Sequence, residues 1–127
     1  MQIISTTKAP AAIGPYSQAI ESKGLLFCSG QLGIDPATGK LIAEDTASQT
    51  VQIMKNIKAL LNARNIDLND IVKTTIFLVS MDDFKNVNEI YASHLGIHKP
   101  ARSTVQVAKL PLGAMVEIEC IAELGDS

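Results

Sequence analysis

The sequence predicts an α/β protein in which two helices back one face of a mixed sheet of about six strands. Two observations carry this expectation. Apolar residues recur at helical spacing in two stretches, as Ala47, Val51, Met54, Ile57 and Leu61, and again as Phe84, Val87, Tyr91 and Leu95. Shorter stretches are rich in β-branched residues or alternate with a period of two, most cleanly at 101–110 and 114–124.

Taken in order, residues 1–5 read as a short strand, interrupted by the Pro- and Gly-rich "APAAIGPYS". "YSQAI" and "LLFCSG" are strands joined by a hairpin turn in "ESKG". "GIDPATGKL" is a polar turn around Pro36 and Gly39. The long helix is capped by Asp45 or Thr46 and ends near Arg64 and Asn65, where asparagine suits a C-terminal cap. "DIVKTTIFLVS" is a central strand by its β-branched content. Asp82 and Asp83 favour the start of the second helix, and Gly96 ends it. The final two strands, linked through "PLGA", are expected to pair as a hairpin.

A chain of 127 residues with 46% hydrophobic and 19% charged residues fits one domain over 1–127. Neither repeats nor linkers divide it. The net charge of −2 and only two arginines, Arg64 and Arg102, argue against a broad nucleic-acid surface. No apolar run approaches the roughly 20 residues that span a bilayer. Residues 1–17 lack the basic segment and apolar core of a secretory signal. Cys28 and Cys120 have no metal-ligand spacing and read as small buried hydrophobes. A cytoplasmic protein with reduced thiols is the expectation.

Alternation sorts the last two strands by face. Val105 and Val107 oppose Arg102, Thr104 and Gln106; Val116, Ile118 and Cys120 oppose Met115, Glu117, Glu119 and Ile121. If the apolar sets both seek the helices, Arg102 and Glu119 share the other face. That face is half apolar, with Phe77, Met115 and Ile121, and no helix remains to cover it. An oligomer with polar pockets near its seams is therefore expected.

Arg102 offers a planar fork that matches a carboxylate, and a partly desolvated Glu119 can activate water. The plainer alternative is an ion pair across strands, which is common in sheets. Glu117, two residues away on the same face, could serve instead. Tyr16 sits in a turn from which its phenol can reach a ligand or simply anchor the N-terminal segment. Ser29 and Gly30 lie at a strand end that permits close backbone approach, or an ordinary bulge. His94 and His98 have no third metal ligand nearby and suit a helix C-terminus. The spacing around Gly33, Gly39 and Lys40 excludes a P-loop.

"APAAIGPYSQ", "SGQLGIDPATG", "VKTTIFLVSMDDFKNVNEIY", "PARSTVQVAKLP" and "VEIECIA" together resemble the reactive intermediate/imine deaminase family, the RidA or YjgF/L-PSP group, nearly from end to end. The resemblance implies a chorismate-mutase-like α+β fold and a homotrimer with three pockets between subunits. It implies hydrolysis of 2-imino acids, such as 2-iminobutanoate and 2-iminopropanoate, to 2-keto acids and ammonia, with no cofactor and no metal. These substrates are tautomers of the enamines released by pyridoxal-phosphate dehydratases. Arg102 matches the residue that grips the substrate carboxylate, and Glu119 the acid that positions water. Tyr16, Ser29, Gly30 and Asn88 match residues around the pocket. Thr104 stands where many bacterial members carry cysteine, which puts thiol-dependent behaviour in doubt but not imine hydrolysis. Members have also been labelled endoribonucleases or translation inhibitors, and a non-catalytic small-molecule regulator would keep the same pocket. Acidic charge and five scattered aromatic residues favour neither RNA reading.

Overall fold

The structure is a computed structural model that describes residues 1–125. Its main sheet runs in the order β1-β2-β3-β8-β6-β7. The strands are β1 (Gln2–Ile4), β2 (Ala19–Ser22), β3 (Leu25–Gln31), β6 (Ile71–Leu78), β7 (Ala101–Gln106) and β8 (Val116–Glu123). All neighbours are antiparallel except β6 and β7. A small hairpin of β4 (Ile34–Asp35) and β5 (Lys40–Leu41) forms the polar turn around Pro36 and Gly39. Two helices, α1 (Thr46–Asn62) and α2 (Phe84–Leu95), complete the fold.

Local chemistry accounts for most boundaries. The β2–β3 turn is Lys23–Gly24, both at positive φ (52° and 80°), which matches the right-handed twist of a two-residue hairpin. "YSQ" lies outside β2 because Gln18 serves the loop before it. Its amide donates to the carbonyls of Thr6, Ala9 and Pro10 and accepts from the Thr6 N–H. The carboxylate of Asp45 caps α1 by accepting from the Ser48 N–H at 2.8 Å. Asn65 adopts the expected left-handed conformation three residues past the helix, at φ 61°. A short 3-10 turn over Met81–Asp83 leads into α2, and Gly96 follows it at φ 65°.

One face of the sheet is sealed. Leu26, Ile76, Leu78, Val116 and Ile118 lie beneath Ile53, Ile57, Leu60 and Leu61 of α1 and Val87, Tyr91 and Leu95 of α2. The buried stripe of α1 also includes Gln49 and Asn56. Gln49 donates to the Ala43 and Glu44 carbonyls and accepts from the Met115 N–H, which ties three segments together. The opposite face has no helix over it; Ile3 there is 64% exposed, and Phe27 and Val105 are exposed too.

Two expectations fail at the end of the chain. Strands β7 and β8 do not pair. After α2 the chain returns parallel to β6 and forms the sheet edge, as a strand–helix–strand crossover does, and β8 then inserts between β3 and β6. Arg102 and Glu119 also do not share a face. Arg102 pairs with Thr74, whose side chain is buried under α2, whereas Glu119 pairs with Thr75 on the open side. Thr104 and Gln106 follow Arg102, and Val105 points with Glu117 and Phe77. The reason is that both sides of β7 offer partners: α2 supplies aromatic rings and an amide to an arginine, and the bare face is itself apolar. Alternation on an edge strand therefore carries no direction.

Candidate active site

The predicted residues fall into two groups. Tyr16, Ser29, Gly30 and Glu119 line one groove of about 700 Å³, together with Glu117, Gln31 and an apolar rim. Arg102, Asn88 and Thr104 stand apart from it, where β7 meets α2.

In the groove, β3 bulges against β8 between Cys28 and Gln31, which brings Ser29 and Gly30 to the surface. The Ser29 hydroxyl donates to the Ser17 carbonyl at 2.5 Å and its N–H to Gln18 at 3.0 Å, fixing this wall to the N-terminal loop. The Tyr16 phenol closes a local turn by accepting from the Ile13 N–H at 3.4 Å. Gly30 leaves room for Glu117: a Cβ there would lie 2.8 Å from the Glu117 carboxyl, which would have to move aside. Glu117 is half-buried over this glycine, while Glu119 is exposed. Burial raises the Glu117 pKa, and the charge of Glu119 raises it further. This carboxyl therefore holds its proton closer to neutral pH than an ordinary glutamate.

At the edge, the Arg102 guanidinium lies over the Phe84 and Tyr91 rings, 5.6 and 5.3 Å from their centroids. Its Nη1 donates to Asn88 Oδ1 at 2.6 Å. Phe84, Asn88 and Tyr91 occupy one face of α2 at helical spacing, so the helix acts as a rack that aims the arginine. Tyr91 is itself held by a 2.7 Å hydrogen bond with the Thr74 hydroxyl, and burial raises its pKa. Among the described residues, the Arg102 side chain makes no other hydrogen bond, and most of its fork remains available. The Thr104 hydroxyl, two residues along the same side, is buried without a partner among them.

The remaining candidates are structural. Cys28 and Cys120 sit opposite each other in the sheet, both buried and free. A hydrogen bond with Cys28 and burial raise the Cys120 pKa well above the ordinary thiol value, which suppresses thiolate reactivity. His98 contacts the Ile71 carbonyl at 2.7 Å and His94 the Ile90 carbonyl at 2.9 Å. Arg64 pairs with Glu21 at 2.6 Å. Among the described residues, no group of three or more acidic, histidine or cysteine side chains is placed to hold a metal ion.

The family model described as Endoribonuclease L-PSP matches residues 6–124. The chain belongs to the RidA/YjgF/L-PSP family. A chloroplastic Reactive Intermediate Deaminase A from Arabidopsis thaliana is 54% identical over 123 residues, which cover 97% of this chain and 66% of that longer protein. A 2-iminobutanoate/2-iminopropanoate deaminase from Mus musculus is 48% identical over 124 residues, 98% of this chain and 92% of the mouse protein. The crystal structure of RidA from a Psychrobacter species aligns with a TM-score of 0.94 at 45% identity, over 98% of this chain and all of that one (100%).

In this RidA-type chain the residues singled out from the sequence lie in two separate clusters, a separation that the sequence does not indicate. The acid's role falls to Glu119 in the sequence reading, with Glu117 named only as a residue that could serve instead. Their difference is one of burial, set by how β8 passes Gly30, and parity cannot register it.

Proposed function

We propose that this protein is a 2-imino acid deaminase, a hydrolase acting on C–N bonds that converts 2-iminobutanoate, 2-iminopropanoate and similar acids to 2-keto acids and ammonia. The observation that carries the reading is the pair of half-sites: an arginine fork aimed by Asn88 and two rings, and a groove with a half-buried Glu117 whose proton affinity is raised by burial and by the charge of Glu119. The similarity to named imine deaminases of mouse and Arabidopsis supports it. Arg102 holds the substrate carboxylate and orients C2. Glu117, rather than the more exposed Glu119, takes a proton from the water that attacks the protonated imine. It then returns the proton as the carbinolamine expels ammonia. The charge of Glu119 adds to burial in raising the proton affinity of Glu117, which suits it to accept the proton from water and then release it. Tyr16, Ser29 and Gly30 wall the groove, and the Thr104 hydroxyl stands beside Arg102 as a further polar contact. Two acidic side chains in the groove disfavour a phosphate-rich RNA ligand.

A single chain presents the two half-sites on opposite faces of its sheet, so the complete pocket forms between subunits. We assign the assembly as a homotrimer, in which the uncovered face bearing Ile3, Phe27 and Val105 is buried and the β7 edge of one chain meets the groove of the next. No helix among the described residues is long and apolar enough to cross a membrane. A cytoplasmic setting, with the two thiols reduced, belongs to the same proposal.

The reaction is tested by generating 2-iminobutanoate with threonine dehydratase and following 2-ketobutanoate release. The protein accelerates release, and Arg102→Ala abolishes the acceleration; no acceleration by the wild type refutes the assignment. The shared pocket is tested by mixing inactive Arg102→Ala and Glu117→Gln chains after unfolding and refolding. Mixed oligomers regain activity if each pocket draws on two chains, and stay inactive if it does not.

A further inference from the structure

Apolar residues, among them Ile13, Leu32, Ile34, Pro111 and Leu112, line much of the groove that holds Glu117. Two of these are largely exposed in this one lining, Ile13 at 85% and Leu112 at 67%. Leu112 is also held at φ 61° and ψ 18°, a left-handed conformation that suits glycine or asparagine and strains leucine. A large apolar side chain is thus kept at the groove's lip in a costly backbone state, and such outliers gather at ligand-binding positions. A 2-imino acid carries three substituents on C2. On the deaminase reading, Arg102 takes the carboxylate and the groove's carboxyl groups take the imine. The side chain is left with the apolar walls. A volume of about 700 Å³ does not confine it to two carbons.

We propose that Leu112, together with Ile13, receives the substrate side chain and makes the enzyme favour long aliphatic 2-imino acids over 2-iminopropanoate. The inference rests on the deaminase reading and is tested separately from it. An L-amino-acid oxidase supplies the imines of alanine and leucine, and kcat/KM is measured for each. The wild type favours the leucine-derived imine. Leu112→Asn, which suits the backbone but removes the apolar surface, lowers the leucine-to-alanine ratio of kcat/KM about tenfold, and Leu112→Met keeps it within about twofold. An unchanged ratio in Leu112→Asn, with melting showing a folded protein, overturns the inference while leaving the deaminase intact. Acceleration of neither imine by the wild type overturns the deaminase reading itself.

Discussion

Replacing Gly30 by alanine separates the position of Glu117 from the stability of the fold. A Cβ on residue 30 would meet the Glu117 carboxyl carbon and oxygen at 2.8 Å and its Cγ at 3.1 Å. Ordinary carbon contacts lie near ~3.5–4.0 Å, so the carboxyl must retreat by about 1 Å. It is the far end of a flexible chain, and Gly30 does not have positive φ, so the backbone need not move. Stability should fall by less than about 1 kcal/mol, while a displacement of that size at a reacting group costs up to about 100-fold in kcat. Gly33→Ala is the contrasting case. Its Cβ would lie 2.6 Å from Gln49 Cα, a backbone atom inside α1. The helix has to shift from the sheet at a cost of about 3 kcal/mol, or roughly 10 °C in melting temperature. Imine hydrolysis and thermal melting of both variants provide the test. If Gly30→Ala keeps full kcat, Glu117 does not carry the proton; if it melts as far below wild type as Gly33→Ala, the local picture of the clash is wrong.

Three further outcomes follow from named contacts. Arg102→Lys should lose roughly 10- to 100-fold in kcat/KM, because an ammonium cannot present the two parallel donors of the fork, with little change in melting. Glu117→Gln should be more stable than wild type at pH 7. The raised pKa of Glu117 means that the folded state binds its proton more tightly than the unfolded chain, so its stabilising effect is complete in acid and is lost as pH rises through the folded pKa. Denaturant titrations at pH 7 and near pH ~4 check this, and a variant advantage that grows in acid contradicts it. Gln49→Leu should cost about 3 kcal/mol, since two carbonyls and one N–H lose their partner within the packed layer. A denaturation midpoint equal to wild type would mean that water replaces those bonds.

The elements were legible wherever one signal dominated. The α2 stripe of Phe84, Val87, Tyr91 and Leu95 falls on the buried face as its spacing predicts, because a helix packed on one side has a single way to hide four large residues. Strand β8 kept its parity because both neighbours are strands and one face is sealed. Glycines at 24 and 96 marked a turn and a helix end because those sites need positive φ. Strand β7 was misread for the converse reason: at an edge, with α2 on one side and a bare apolar sheet on the other, polar and apolar side chains both find partners on either face. By itself, then, the sequence determined the α+β composition, the family and the residue types able to grip a carboxylate and move a proton. Only the tertiary structure decided that β7 returns parallel to β6, that Arg102 points to α2 while Glu117 and Glu119 face away, and that Glu117 alone is sheltered over Gly30. Those outcomes depend on which strands become neighbours and on where backbones approach closely enough to exclude water, and local pattern encodes neither.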